Sequence, residues 1–314
     1  MEGVSPRTVR IVLAQAAVWI IWGSTYLALR FALEGFPPFL LNGIRFVFAG
    51  GVMYLFLRIR GTPAPTRAQW WNMARVGTLL LVGGVGLVTI AEDLGVGSGV
   101  AATAIAAMPL WIALISGLYG SWPNRMEWLG LVVGFAGVIT LAQEGDFRTT
   151  TLGMALVIIS PIFWSFGSMW SRRLDMPPAF MATAGQLFAG GVVLLILGPL
   201  RGERITEAPN ATSWIALLYL AVFGSIVAYS AYIFLLREVR PAMATSYAYV
   251  NPVVAVILGV TLGAEVVTGP VFIAMPLILA GVALVTLAQR RPLPVTVVAG
   301  NEKKLGFAGA IRRR

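Results

Sequence analysis

Apolar runs of about 20 residues, separated by short charged or proline-containing stretches, follow one another along most of the chain. A helix rises about 1.5 Å per residue, so a run of this length crosses the roughly 30 Å of hydrocarbon in a bilayer. The pattern therefore predicts an all-α membrane protein with ten transmembrane helices. The predicted spans are 11–33, 38–57, 72–92, 97–120, 126–143, 152–172, 178–200, 213–235, 241–262 and 268–289.

Composition indicates the same class of protein. Hydrophobic residues make up 58% of the 314 residues and charged residues only 11%, whereas a soluble domain has roughly 25% charged residues. The chain has no cysteine and no histidine, which excludes disulfides, thiol nucleophiles, Cys/His zinc sites and histidine-based triads. It also lacks a Walker-type phosphate-binding loop. We therefore expect no enzyme, no cofactor, no bound metal and no use of ATP.

Positive charge is distributed unevenly among the predicted loops. The N-terminus, the even-numbered loops with their flanking residues and the C-terminal tail hold 18 of the 23 Lys and Arg. The odd-numbered loops hold three, and Arg30 and Arg45 fall within spans. Because positively charged loops stay on the cytoplasmic side, both termini are predicted to be cytoplasmic. The net charge of +10 thus indicates topology, and we expect no nucleic-acid partner.

The second half of the chain repeats landmarks of the first. In each half, a pair of prolines is followed by Phe-Ala-Gly-Gly at the same distance along the chain. In each half, a tryptophan also lies 38 residues before a mid-span proline. The matched pairs are Pro37-Pro38 with Pro177-Pro178, Phe48 with Phe188, Trp71 with Trp214, Pro109 with Pro252, Thr140 with Thr286 and Trp22 with Trp164. The sequence therefore predicts two five-helix repeats, 10–143 and 150–289, followed by a basic cytoplasmic tail, 290–314.

The predicted repeats have opposite orientations. Five is an odd number of spans, so the second repeat starts on the other side of the membrane from the first. Inverted repeats of this kind place a substrate site near the bilayer midplane, where the two copies meet.

Three segments carry a family resemblance: WGSTY at 22–26 in span one, AMATSYAYVNPV at 242–253 in span nine, and GAE at 263–265 before span ten. With these motifs the chain resembles the EamA type of the drug/metabolite transporter superfamily. It is most similar there to YedA-type inner-membrane transporters and, more distantly, to YddG-type aromatic amino-acid exporters. The resemblance implies ten helices in two EamA repeats, a place in the bacterial cell inner membrane and export of small metabolites. It does not fix the substrate.

Aromatic residues near the middle of spans are candidates for the wall of a substrate cavity. Trp22, Trp111 and Trp164 lie at depths that the interfacial aromatic belt does not reach. An indole N–H inside the membrane needs an acceptor that lipid cannot provide. Tyr229 in span eight is a further candidate. The alternative is that these side chains only fill the bundle.

Span nine combines polar side chains with a proline. Tyr247 and Asn251 are four residues apart and so share one face of the helix. Asn251 is followed by Pro252, and Pro109 is the counterpart in span four. Proline removes a backbone N–H and frees a carbonyl, so both prolines are predicted helix breaks. Such a break either contacts substrate or is a structural kink in which Asn251 bonds a neighbouring helix.

Few charges are predicted inside the membrane. Arg45 lies about 10 Å below the outer end of span two by helical rise. We expect a structural role for Arg45, with the side chain reaching outward or pairing with Glu34 or Glu92. With no histidine and no carboxylate placed at the midplane, we expect facilitated or exchange transport, with proton antiport as the alternative.

These observations together predict an exporter of small metabolites that works by alternating access. Amino acids are the preferred substrates, aromatic or bulky apolar ones first, because an aromatic wall with a few fixed dipoles suits such molecules. The predicted substrate-binding residues are Trp22, Trp111, Trp164, Tyr229, Tyr247 and Asn251. Export of other metabolites or organic cations, and a channel-like facilitator, remain alternatives. A small-molecule substrate and membrane lipid are the expected partners, and the oligomeric state stays open.

A reporter fused after Arg314 tests the predicted orientation. Because the positive charges place the C-terminus in the cytoplasm, we expect a fluorescent-protein fusion to be active and an alkaline phosphatase fusion to be inactive. A control fusion after Gly202, in an odd-numbered loop, is expected to give the opposite pattern. Strong phosphatase activity after Arg314 would contradict the ten-span topology.

Overall fold

The computed structural model describes residues 5–94, 105–142, 151–262 and 269–289. Within these ranges the backbone forms helices joined by short turns, and no β-strand occurs. The prediction of an all-α chain is therefore confirmed for the described residues.

Five long helical elements lie in the described residues of the first half of the chain. α1 begins directly after Ser5, whose hydroxyl accepts a hydrogen bond from the Thr8 N–H. α3 is one continuous helix in three parts, and its middle part is π-helical. The elements are α1 (Pro6–Leu33), α2 (Pro38–Ile59), α3 (Arg67–Gly77, Thr78–Gly86 and Leu87–Asp93), α4 (Met108–Leu118) and α5 (Arg125–Ala142).

The second half follows the same order. α8 is again continuous in three parts with a π-helical middle, and a one-turn helix, Pro241–Ala244, precedes α9. The elements are α6 (Thr151–Ser171), α7 (Ala179–Leu200), α8 (Ala211–Tyr219, Leu220–Ala228 and Tyr229–Glu238), α9 (Tyr247–Leu262) and α10 (Gly269–Gln289).

Six helices in the described residues are long and apolar enough to cross a membrane: α1, α2, α3, α6, α7 and α8. Each overlaps one of the spans predicted from the sequence. Predicted spans four, five and ten extend into residues outside the described ranges, and span nine is divided at Thr245 and Ser246. The structure thus confirms a helical chain with several helices long and apolar enough to cross a membrane, while the number of ten crossings stays a prediction.

Side-chain caps define the start of both helices that contain a π-helical part. Thr66 accepts a hydrogen bond from the Gln69 N–H, and the Gln69 side chain accepts one from the Thr66 N–H, which forms a capping box before α3. The side chain of Asn210 accepts a hydrogen bond from the Ser213 N–H before α8. These bonds satisfy N–H groups that the first helical turn leaves free.

Some helix pairs in the described structure approach so closely that their backbones touch. α2 packs along α7, and α5 packs along α10. A Cβ on Gly50 would collide with the backbone nitrogen of Phe188 and would lie 2.7 Å from the Ala184 carbonyl oxygen. A Cβ on Gly281 would lie 2.5 Å from Cα of Gly134. Small residues permit this contact, which matters in lipid because no hydrophobic effect drives helices together there.

The first helix of each half packs against the other half of the chain. α1 contacts α8 and α9, whereas α6 contacts α3 and α4. The two halves therefore interlock, and the helices α1, α3, α6 and α8 meet in the centre of the molecule. The largest cluster of buried apolar side chains lies there, and it includes Val18, Leu80, Trp164 and Tyr232.

Replacing Gly50 with alanine tests the contact between α2 and α7. The added methyl group would meet backbone atoms of α7 that cannot move aside, so we expect Gly50→Ala to lower the stability by about 1–3 kcal/mol. Gly51→Ala is the matched control, because a Cβ there would be 3.9 Å from its nearest neighbour, Cδ2 of Phe188. Thermal unfolding in detergent measures both variants. Alanine is the better helix former of the two residues, so Gly51→Ala is expected to keep or slightly raise the stability. A Gly50→Ala variant as stable as Gly51→Ala would contradict the close contact between α2 and α7.

Candidate functional site

A cavity of about 140 Å³ lies in the centre of the molecule, between α1, α2, α3, α6, α8 and α9. Apolar and aromatic side chains form most of its wall. Its aromatic residues are Trp22, Phe46, Trp164, Tyr229 and Tyr247, and its other polar or charged residues are Thr25, Arg45, Thr89, Ser160, Ser225 and Asn251.

Aromatic rings from four helices contact one another at this cavity. Trp22 of α1 lies at the centre, with ring centroids 5.6 Å from Trp164, 5.3 Å from Tyr232 and 4.6 Å from Tyr247. The contacts with Trp164 and Tyr247 are edge-to-face, the arrangement that aromatic quadrupoles favour. Trp164 also packs against Tyr229 at 6.2 Å. The cluster therefore joins α1, α6, α8 and α9 around one space.

Hydrogen bonds fix the orientation of these rings. Trp164 Nε1 donates to the hydroxyl of Tyr232 at 3.0 Å, and that hydroxyl also lies 2.8 Å from Ser168 Oγ. The Tyr229 hydroxyl donates to Oε1 of Gln186 at 2.7 Å. Polar ring atoms in a membrane protein need such partners because lipid provides none. The rings are therefore held in place, and the apolar surfaces of the cavity-lining ones are left for a ligand.

Both π-helical segments contribute residues to the wall. Trp22 Nε1 donates to the Gly224 carbonyl oxygen in α8 at 3.0 Å, and Ser160 Oγ donates to the Gly84 carbonyl oxygen in α3 at 3.0 Å. Each bond runs from the first helix of one half to the π-helical part of the other half. π-Helical segments within α-helices are frequent at functional sites. These π-helical segments were not predicted from the sequence.

Arg45 lies at the cavity as a buried side chain, 7% exposed. Its Nε donates to Ser225 Oγ at 2.8 Å, and its Nη1 lies 3.5 Å from Oδ1 of Asn42. The guanidinium carbon is 4.7 Å from the ring centroid of Phe46. The side chain is therefore buried and does not extend to solvent, and the exposed Glu34 is not its partner. The side chain of Glu92, the other expected partner, lies outside the described part of the chain.

Five of the six predicted site residues line the cavity: Trp22, Trp164, Tyr229, Tyr247 and Asn251. The sixth, Trp111, is half-buried on α4 and is not part of the wall. Sequence fixes the depth of a helical residue, whereas its direction depends on how the helix is packed.

The two prolines predicted to break helices have different positions in the structure: one begins a helix, and the other lies inside one. Pro109 lies in the first turn of α4, immediately after a turn at Ala107. α9 continues through Pro252 without interruption. The interruption in this region lies at Thr245 and Ser246, before α9 begins.

Asn251 has an unpaired polar atom. The residue is 3% exposed, and its Oδ1 has no hydrogen-bond partner in the described structure. The predicted alternative, in which this amide bonds a neighbouring helix, is therefore not observed for Oδ1. A buried acceptor without a partner costs free energy, which makes it a candidate for contact with a ligand.

A second cavity of about 340 Å³ lies between the C-terminal ends of α6 and α8. Arg172 and Arg237 are in its wall, and each donates to a backbone carbonyl, of Val239 at 3.5 Å and of Pro177 at 3.0 Å. Gln186 also lines this cavity. Because Gln186 accepts the hydrogen bond of Tyr229, this pair stands between the second cavity and the central one.

Comparison with known proteins gives one consistent family. The model of the EamA-like transporter family matches residues 9–143 and 151–287. The chain is 43% identical to the uncharacterized inner membrane transporter YedA of Escherichia coli (strain K12) over 273 residues, 87% of this chain and 89% of that protein. It is 24% identical to the uncharacterized transporter YdfC of Bacillus subtilis (strain 168), over 80% of this chain and 83% of that protein.

A solved structure shares the fold. A crystal structure of a protein 23% identical to this chain superimposes with a TM-score of 0.76, covering 89% of this chain and 97% of that one. At this identity the likeness concerns the fold alone.

The hydroxyl of Tyr232 is expected to contribute to stability through its two partners. Tyr232→Phe removes it and leaves the N–H of Trp164 buried without an acceptor, so we expect a loss of about 1–3 kcal/mol. Tyr54→Phe is the control, because the Tyr54 hydroxyl makes no hydrogen bond in the described structure. Thermal unfolding of the purified variants gives the measurement. A Tyr232→Phe variant as stable as Tyr54→Phe would mean that the indole finds another acceptor.

Proposed function

This chain belongs to the EamA-like transporter family, and we propose that it exports amino acids across the bacterial inner membrane by alternating access around the central cavity. Aromatic and bulky apolar amino acids are the preferred substrates. The observation that carries the proposal is the fixed aromatic wall, built by Trp22, Trp164 and Tyr247 from three helices, beside a few polar groups.

The wall suits a molecule with an apolar body and a compact polar head. Small-molecule sites are mostly apolar with a few placed polar groups that fix orientation. Here the rings provide the apolar surface, and Ser225, Asn251 and Arg45 provide polar atoms within the same cavity. An amino acid with an aromatic side chain meets both requirements. We therefore propose Trp22, Trp164, Tyr229, Tyr247 and Asn251 as substrate-binding residues.

Alternating access requires two halves that move relative to each other. We propose that residues 10–143 and 150–289 are inverted repeats, with 290–314 as a cytoplasmic tail and both termini in the cytoplasm. Two observations support this arrangement. α1 and α6 each pack against helices of the other half, and π-helical segments occur at matching places in α3 and α8. In inverted-repeat transporters, one repeat rocks against the other around a fixed site.

An organic cation is a second candidate substrate, favoured by one observation. Trp22, Trp164 and Tyr247 present aromatic rings in the cavity wall, and the faces of such rings bind quaternary ammonium groups. The positive charge of Arg45 in the same cavity opposes this candidate, since the described wall contains no carboxylate to offset it. Amino acids therefore remain the first proposal.

Transport by the purified protein in liposomes tests the proposal. We expect accumulated unlabelled phenylalanine to drive counterflow of the labelled amino acid in wild-type vesicles. Trp164→Ala, Tyr247→Ala and Asn251→Ala each remove part of the cavity wall, so we expect each to reduce the rate by about tenfold or more, as for buried anchors in binding sites.

Trp71→Ala and Trp214→Ala are the matched controls. These tryptophans are 58% and 51% exposed and lie away from the cavity, so we expect transport to be retained. Full activity in all three cavity variants at normal expression would place the substrate elsewhere. Counterflow of metabolites other than amino acids, without competition by any amino acid, would reject the substrate class.

A further inference from the structure

Arg45 is a buried charge without an opposite charge in the described structure. Its side chain is in the cavity wall, and no Asp or Glu is among the described residues that form this wall. Within the described part of the chain, no carboxylate lies within ion-pair distance of its guanidinium. Ionisable side chains inside a membrane protein are costly, and they usually pair with one another or mark a substrate path.

Some N–H donors of the Arg45 guanidinium make no hydrogen bond in the described structure. An arginine presents five N–H groups in a planar fork. Within the described structure, Nε is used by Ser225 and Nη1 weakly by Asn42, whereas Nη2 makes no hydrogen bond. Nη2 lies 3.1 Å from the place where a Cβ on Gly224 would be. Gly224 therefore leaves room for the guanidinium beside the wall of the cavity.

Neighbouring side chains hold the arginine in this position. Ser225 Oγ, which accepts from Nε, itself donates to the Leu220 carbonyl oxygen at 3.1 Å. Asn42 is held in turn by Thr89, since its Nδ2 donates to Thr89 Oγ1 at 3.1 Å. A side chain that only filled space would not need these supports. Their arrangement instead fixes the guanidinium, as the supporting residues of a binding site do.

We propose that Arg45 binds the carboxylate of the transported molecule through its free guanidinium donors. Arginine recognises carboxylates with paired, charge-assisted hydrogen bonds, which are among the strongest in proteins. This inference rests on the proposed function and narrows it: the substrate carries a carboxylate next to an aromatic or apolar body, and compounds without a carboxylate are rejected.

Asn251 supplies a complementary group in the same cavity. Its unpaired Oδ1 requires a donor, which the ammonium group of an amino acid provides. Arg45 belongs to α2 and Asn251 to α9, so a zwitterion bridges helices of the two halves of the chain. The two residues together recognise opposite charges of one small molecule.

The second cavity fits the same class of molecule. Arg172 and Arg237 in its wall are at the ends of α6 and α8 that we propose to face the cytoplasm. Positive charges in a recess raise the local concentration of anionic groups. The hydrogen bond between Tyr229 and Gln186 separates this recess from the cavity that contains Arg45. A carboxylate therefore meets positive charge on both sides of that hydrogen bond.

Binding of three matched probes to the purified full-length protein tests the proposal. Phenylalanine has both charged groups, 3-phenylpropanoate has only the carboxylate, and phenethylamine has only the ammonium. With calorimetry we expect the two carboxylates to bind and phenethylamine to bind about 10- to 100-fold more weakly, the worth of charge-assisted hydrogen bonds. We expect Arg45→Gln to weaken both carboxylates by the same factor, and Arg45→Lys to restore part of the affinity.

Arg67→Gln is the control, because Arg67 is an exposed arginine at the start of α3. It is expected to leave all affinities unchanged. If Arg45→Gln does not fold, the comparison of the three probes on the wild-type protein decides. Equal binding of phenethylamine and 3-phenylpropanoate overturns the assignment, and so does wild-type protein that binds neither carboxylate.

Two outcomes distinguish the role of Arg45 from the export of amino acids. If a folded Arg45→Gln variant retains phenylalanine counterflow and unchanged affinity, the role of Arg45 is rejected. The proposal that the protein exports amino acids then still stands. Binding of 3-phenylpropanoate that depends on Arg45, without counterflow of any amino acid, keeps the carboxylate site and rejects amino acids as cargo.

Discussion

The backbone contact between α2 and α7 determines where the cavity and its charge lie. Gly50 touches the backbone at Phe188, and Gly191 in turn meets the backbone of Val47, so neither helix can rotate without a collision. Arg45 is on the same helix as Gly50, little more than one turn away. Because α2 is apolar all round, its sequence pattern does not select a direction for Arg45. The glycine contacts do so, and they turn the guanidinium towards α8.

The π-helical segments of α3 and α8 connect the cavity wall to the contact between the two halves of the chain. Each widens a helix locally and presents a glycine carbonyl oxygen, Gly224 or Gly84, to a side chain from the other half of the chain. A carbonyl inside a membrane protein needs a donor, so Trp22 and Ser160 stabilise the widened helices while the helices orient these side chains. The cavity wall and the contact between the two halves are therefore made by the same residues.

Much of the helical framework could be predicted from the sequence, whereas directions of side chains could not. The apolar run 38–57 matches α2 because length and hydropathy alone decide whether a segment spans lipid. The depth and symmetry of Trp22 and Trp164 indicated the cavity. Trp111 has a similar depth but points elsewhere, since packing of α4 sets its direction. The interruption before α9 is at Thr245 and Ser246, whose hydroxyls donate to the Pro241 and Met243 carbonyl oxygens. The position of Pro252 in the sequence does not predict this local hydrogen bonding.

Arg45 is the single charged residue among the described residues of the central cavity wall, and its charge has an electrical consequence. The guanidinium of Arg45 belongs to the protein, so the charge that crosses the membrane with each cycle is that of the cargo. A zwitterion carries no net charge, and its movement is indifferent to the membrane potential. A monoanion carries one negative charge out of a cytoplasm that is itself negative, which is downhill by about 2.3 kcal/mol per 100 mV. Under the proposed function, the same cavity would therefore export an acid with help from the membrane potential and exchange amino acids without that help.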